Sequence, residues 1–219
     1  MKYTSENWTE KEGSAVVTSG EARRIFLRFF PEGDAKLLDV GSGRGEFFTG
    51  LPARISITAS DTSDFLGAEA RARARAFASF DANGQWPFPD GAFDAVTAWN
   101  VLEHMENPSQ FAREAARVLR PGGFLFLSMP NIFNLRNRLY FLRTGDMYRF
   151  KPSNSHIAIL TKLVFKAIFS RDFEIILRGF SGGEVLFEFL RRLRFLKRLM
   201  PKTELFSWSV YYILRKHGL

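Results

Sequence analysis

Over the first 130 residues, short β-type apolar runs alternate with stretches whose apolar positions recur at helical spacing. Ser14 to Phe30 predicts a helix with Ile25, Phe26, Phe29 and Phe30 on one face and Pro31 as its stop. Lys36–Val40 predicts a short strand running straight into glycines. Ile55–Ser60 predicts a second, closed by Asp61, and Phe77–Phe80 a third, ending at Asp81. Phe93–Trp99 predicts a fourth, introduced by the turn signal Pro89-Asp90-Gly91. Pro108 to Leu119 predicts a helix with proline in its first turn, Phe111, Ala115 and Leu119 inward, and Pro121-Gly122-Gly123 as its stop. Phe124–Met129 is apolar throughout, as a buried central strand should be.

Strand and helix in alternation imply right-handed crossovers and a largely parallel sheet covered on both faces. Beyond Pro130 the rhythm changes. Helices are expected over Asn134–Leu142, Thr161–Phe169 and Glu184–Met200, and a strand over Phe173–Phe180. Ser207–Arg215 sets Trp208, Val210, Tyr212 and Leu214 on one side and predicts a final strand. With 219 residues, 25.1 kDa and no linker composition, the expectation is one α/β domain over 1–219. Its core would be 1–133 and its acceptor side the basic part, 134–219.

Composition narrows the function classes. Apolar residues at 46% and charged residues at 25% exclude wholesale disorder. No apolar run is long enough to span a bilayer, and Met1 to Lys11 is polar with no signal core, so a cytoplasmic protein is expected. The absence of cysteine excludes disulfide scaffolds, Cys-ligated zinc and thiol chemistry. Three scattered histidines without cysteine speak against a metal site. Charge is uneven: residues 1–133 hold 14 Lys/Arg against 17 Asp/Glu, and residues 134–219 hold 17 against 6, so the net is −3 in front and +11 behind. Such a basic back is either a solvated surface or a face for an anionic partner.

The sharpest chemical feature is Leu37-Leu38-Asp39-Val40-Gly41-Ser42-Gly43-Arg44-Gly45. Glycines alternate directly after a strand, where the chain turns tightly and a ligand can touch the backbone. The spacing is not that of dinucleotide folds, and no Gly-Lys-Ser/Thr follows to make a phosphate loop. Asp39 precedes the first glycine, where its carboxylate would repel a pyrophosphate but attract a cation. Asp61 ends the next strand, where a carboxylate can accept from ribose hydroxyls. The ligand so described has a ribose and a positive charge and needs no phosphate, which fits S-adenosylmethionine.

With these residues the chain resembles the class I S-adenosylmethionine-dependent methyltransferases. The glycine loop is their first motif. Asp81, Pro87-Phe88-Pro89-Asp90-Gly91, Val101-Leu102-Glu103-His104 and Arg117-Val118-Leu119-Arg120-Pro121-Gly122-Gly123 follow in their order and spacing, from about residue 36 to 131. The resemblance implies a Rossmann-like seven-stranded sheet, mostly parallel with the last strand antiparallel. The cofactor would lie at the C-terminal strand ends. It further implies Gly41, Gly43 and Gly45 along methionine and ribose, Asp39 near the ammonium, and Asp61 on the ribose. Asp81 would take the adenine amine with Ala82 beside it, and Asn100 and Val101 would pass the cofactor through their backbones. Asp81 also reads as the first residue of a turn. His104 and His156 are candidate bases for a hydroxyl acceptor, and His104 reads equally as a hydrogen-bonding surface residue.

The finer resemblance is to methyltransferases of polysaccharide, lipid-linked sugar and quinone biosynthesis. It implies a small-molecule, sugar or lipid-linked acceptor, with residues 134–150 shaping its mouth. The expected helix at 184–200 carries Leu186, Phe189, Leu193, Leu196 and Met200 against Arg191, Arg192, Arg194, Lys197 and Arg198. It would pack on the domain, lie on an anionic membrane, or meet nucleic acid. An RNA-directed enzyme and a cofactor-binding protein without catalysis are the alternatives; the absence of an Asn-Pro-Pro-Tyr run after the fourth strand speaks against base methylation.

Overall fold

The computed structural model describes residues 17–30, 32–151, 154–182 and 202–218. The helix expected over 184–200, the Pro31 stop and the helix start at Ser14 lie outside them. Helix α1 runs Ser19–Leu27. It begins where Thr18 caps it, the Thr18 hydroxyl accepting from the Glu21 N–H.

Seven strands follow the expected runs closely: β1 Ala35–Val40, β2 Ile55–Asp61, β3 Ala76–Ser79, β4 Phe93–Trp99, β5 Leu119–Pro130, β6 Phe173–Ser181 and β7 Ser209–Lys216. They form one sheet in the order β3-β2-β1-β4-β5-β7-β6. β7 is antiparallel to both its neighbours and the pairings from β3 through β5 are parallel. The expected Rossmann-like sheet with its last strand antiparallel is therefore what forms.

Consecutive apolar residues serve opposite faces, which is why the central strands read as unbroken runs. Leu38, Val96, Leu125, Leu127, Val210, Tyr212 and Leu214 pack with helices α3 (Pro108–Val118) and α5 (Lys162–Phe169). Leu37, Ile57, Ala95, Phe126 and Ile213 pack on the other face with α1, where Phe26 sits among Phe30, Phe47 and Phe126. Helix α2 (Ala68–Arg73), which no periodicity announced, buries Ala70 there too. Helix α4 (Leu135–Thr144) follows β5 and is capped by Asn134, whose side chain accepts from the Asn137 N–H.

Two boundaries differ from expectation. β3 ends at Ser79, leaving Asp81 in the following turn. β5 begins at Leu119, opposite Phe93, and the ladder then shifts before resuming at Phe124 opposite Ala95. Pro121-Gly122-Gly123 is thus a bulge inside a strand. Gly123 is required there, because a Cβ would stand 2.9 Å from the Arg120 carbonyl and 3.1 Å from that of Asp94.

The strand order reverses between β1 and β4. In open α/β sheets the crevice beyond the carboxyl ends of such a pair is where ligands bind.

Candidate functional site

At that crevice the chain leaves β1 through three glycines at positive φ, +68° at Gly41, +51° at Gly43 and +81° at Gly45. Each has its own reason. A Cβ on Gly41 would stand 2.6 Å from Val101 Cγ2, and one on Gly45 would stand 2.3 Å from the Ala70 Cβ. These two let the loop lie against the exit of β4 and against α2. Gly43 has nothing within 4 Å of its would-be Cβ and faces open space. Residues 41–50 continue in turns, so the loop presents no helix N-terminus to a phosphate.

The loop is laced to β2. The Ser42 N–H donates to the Ser60 carbonyl at 2.9 Å, the Ser42 hydroxyl donates to the Asp39 carbonyl at 2.8 Å, and the Gly43 N–H donates to Asp61 Oδ2 at 2.9 Å. Asp61 Oδ1 accepts from the Thr62 N–H at 2.8 Å. Each carboxylate oxygen has two acceptor sites, so Asp61 can fix the loop and still accept from a ligand hydroxyl.

Asp39 lies beneath the loop, 2% exposed, with Oδ1 accepting from the Thr97 hydroxyl of β4 at 2.6 Å. Burial pushes its pKa up to about 7. The Thr97 and Ser42 hydrogen bonds oppose that rise and the Asp61 charge adds to it. A carboxyl in this state gains from a cation brought beside it. Across the crevice, Asn100 holds φ at +57°, a conformation that few non-glycine residues adopt, with its N–H on the Ser128 carbonyl and hydroxyl, each at 3.1 Å. Its Oδ1 is buried without a hydrogen-bond partner among the described residues. Val101 is buried against Gly41. Trp99 packs against Phe47, 5.5 Å between rings.

Asp81 starts a turn: Oδ1 accepts from the Asn83 N–H at 2.9 Å and from Asn83 Nδ2 at 3.0 Å. Sequence reasoning passed over Asn83, whose Oδ1 in turn receives the Glu106 and Asn107 N–H groups at 2.9 and 3.1 Å. That latch ties the β3 exit to the start of α3. Ala82 is buried, and its carbonyl accepts from Trp86 Nε1.

The histidines depart furthest from expectation. His104 and His156, read as scattered, lie with ring centroids 4.7 Å apart. His104 belongs to the turn Leu102–His104 after β4, and His156 to a loop that donates the Ile157 and Ala158 N–H groups to the Glu103 carbonyl. His104 Nδ1 meets the Ser155 carbonyl at 3.1 Å, and Ser155 adopts φ +54° to offer it. Burial lowers the pKa of both rings. His156 falls to about 4, the charges of His104 and Arg149 adding to burial, whereas the Ser155 carbonyl partly offsets the fall at His104. His217 is exposed at the far end of β7.

A buried ladder of amides carries α4 over the end of β5. Asn131, fully buried, donates through Nδ2 to the Glu204 and Ser207 carbonyls, and its own carbonyl accepts from Asn134 and Asn137. Above it the Arg136 guanidinium sits 3.8 Å over the Tyr148 ring. Leu139, Phe141 and Leu142 of α4 and Leu163 of α5 are exposed.

Fold and crevice together define an open α/β protein with a glycine loop and two carboxylates at the β1/β4 switch. The sequence profile described as "Methyltransferase domain" matches residues 18–175, and the chain belongs to that family. It is similar to a demethylmenaquinone methyltransferase of Tropheryma whipplei, 39% identical over 95 residues, 41% of this chain and 39% of that protein. It is also similar to a 27-O-demethylrifamycin SV methyltransferase of Amycolatopsis mediterranei, 32% identical over 134 residues, 57% of this chain and 48% of that protein. The matched stretch thus spans less than half the length of these relatives. Among solved structures, the [4+2]-cyclase SpnF superposes with a TM-score of 0.63 at 23% identity, covering 92% of this chain and 82% of that one. That likeness concerns the fold alone.

Proposed function

We propose that the protein is an S-adenosylmethionine-dependent methyltransferase acting on a small-molecule, sugar or lipid-linked acceptor through a hydroxyl. The observation carrying this reading is the Gly43–Asp61 hydrogen bond, which sets an open glycine edge and a carboxylate side by side at the strand ends. Asp61 would take the ribose hydroxyls and Gly41, Gly43 and Gly45 would line ribose and methionine. Asp39 and the Asn100 Oδ1, which has no partner among the described residues, would face the ammonium. Val101 would flank the cofactor, and Asp81 and Ala82 would border the adenine.

S-adenosylmethionine brings a methyl group already activated on a sulfonium. The chain's task is then to hold an acceptor in line and exclude water, and positioning of this kind supplies roughly 7 to 11 kcal/mol. For a hydroxyl acceptor, His104 and His156 would be the groups that help its proton leave. The names of the two relatives, for a quinone and a rifamycin, favour a small organic acceptor over RNA.

Arg136, Arg138 and Arg143 share α4 with the exposed Leu139, Phe141 and Leu142, a composition suited to the surface of an anionic membrane. The test is transfer of labelled methyl from the cofactor to a panel of hydroxylated quinones, glycolipids and RNA. Label in the first two supports the reading, and label confined to RNA overturns the acceptor class.

A further inference from the structure

Glu103, His104 and His156 each offer a ligand atom, and these atoms lie within 4.8 Å of one another. We propose that this cluster is a binding site for a borderline divalent ion of the zinc or cobalt type.

Three observations carry it. First, His156 is 8% exposed and its Nδ1 is buried without a hydrogen-bond partner among the described residues, although a backbone hydrogen bond at Arg149 holds the ring. A bare nitrogen in the interior is costly in a packed core and is satisfied by a metal ion. Second, the Ser155 carbonyl engages His104 at Nδ1. That leaves Nε2 as the lone-pair atom, the arrangement by which backbone carbonyls orient metal-bound imidazoles. Third, the loop bearing His156 is stapled to Glu103 through two N–H donations to its carbonyl, so ligands 52 residues apart in sequence are held by one backbone contact.

Two imidazoles and a carboxylate favour such an ion over magnesium or calcium. Bond lengths of about 2.0 to 2.2 Å would draw the ligand atoms from within 4.8 Å of one another to separations of roughly 3.4 Å, a closure of up to about 1.4 Å. Three protein ligands also leave a position for water or an oxygen of another molecule. The site deepens the proposed methyl transfer and rests on that reading for its role: the ion would acidify a coordinated acceptor hydroxyl, whose proton leaves to solvent, and the oxygen would then take the methyl as the methyl–sulfur bond of the sulfonium breaks to leave a neutral thioether.

The test is titration of the untagged, chelator-stripped full chain with Co²⁺ and Zn²⁺ near neutral pH. It is followed by visible absorption and calorimetry, with S-adenosylmethionine titrated into the same samples. One equivalent of Co²⁺ should bind with d–d bands, Zn²⁺ should displace it, and Zn²⁺ should raise the unfolding temperature. His104→Ala, His156→Ala and Glu103→Gln should each weaken binding at least tenfold, and His217→Ala should leave it unchanged. Should His156→Ala not fold, His104→Asn serves in its place. Failure of the folded wild-type chain to bind Co²⁺ at micromolar concentration overturns the site, as does binding that survives the His104→Ala/His156→Ala pair. Cofactor affinity without metal affinity sinks the ion site alone. Metal affinity without cofactor affinity keeps the ion site and sinks the methyltransferase reading.

Discussion

At Asp39 a carboxyl is held beneath the glycine loop by the Thr97 hydroxyl, and the charge acting on it, that of Asp61, has its own sign. Its folded pKa of about 7 exceeds the value of 3.8 expected when unfolded. Between the two the folded chain keeps a proton that the unfolded chain has lost. This residue therefore lowers stability as pH rises from about 4 to about 7, with no further change above. Asp39→Asn should raise the unfolding temperature by about a few degrees at pH above 7 and flatten that slope in thermal melts. Cofactor affinity should do the reverse. A cation beside Asp39 favours the charged form, so binding should tighten as pH rises through about 7 and release a proton. Calorimetry in buffers of different ionisation heat reads that proton. The glycines beside it separate ligand space from fold. Gly43→Ala should fold and bind the cofactor more weakly, having open space but a positive φ. Gly45→Ala should lose stability first, because its Cβ meets Ala70 and Phe48. Melting curves paired with binding titrations distinguish the two.

Among the elements, the amide ladder after β5 fixes where α4 stands. Asn131→Ala would strip the Glu204 and Ser207 carbonyls of their donor, and at about 1 to 3 kcal/mol for each group the loss should be roughly 2 to 6 kcal/mol in urea unfolding. How far such features could be read from sequence depends on the range of the interaction that makes them. Strands buried on both faces write themselves as apolar runs, so β1, β2, β4 and β5 were legible. Pro121-Gly122-Gly123 signals a helix stop and a strand bulge equally, and only pairing with β4 decides for the bulge. Asp39, Gly43 and Asp61 announced a site by motif, and the structure brings them together at the strand ends. Asn83 is a common turn residue until the start of α3 arrives to receive it. His104 and His156 meet across 52 positions of sequence, and no local spacing encodes that contact.

For the whole molecule, the excess of positive charge behind residue 133 and the exposed apolar side chains of α4 point the same way. Anionic vesicles should sediment the protein at low salt and release it as the Debye length falls from about 10 Å at 0.1 M to about 3 Å at 1 M. Leu142→Asp and Arg143→Glu should each weaken that association without altering cofactor affinity. Neutral vesicles should bind poorly, and a salt-sensitive RNA shift without vesicle binding would reassign the basic face. The central claim, that the β1/β4 crevice holds S-adenosylmethionine, has a more direct test. Calorimetric titration of the cofactor into the wild-type chain, Asp61→Asn and Asp61→Ala compares an intact carboxylate, a neutral acceptor and none. Loss of a charged acceptor costs about 1.5 to 3 kcal/mol. The account predicts saturable binding to the wild type, an intermediate loss in Asp61→Asn, and at least tenfold weaker binding in Asp61→Ala. Equal affinity in a folded Asp61→Ala chain, or no binding to the wild type, would contradict it.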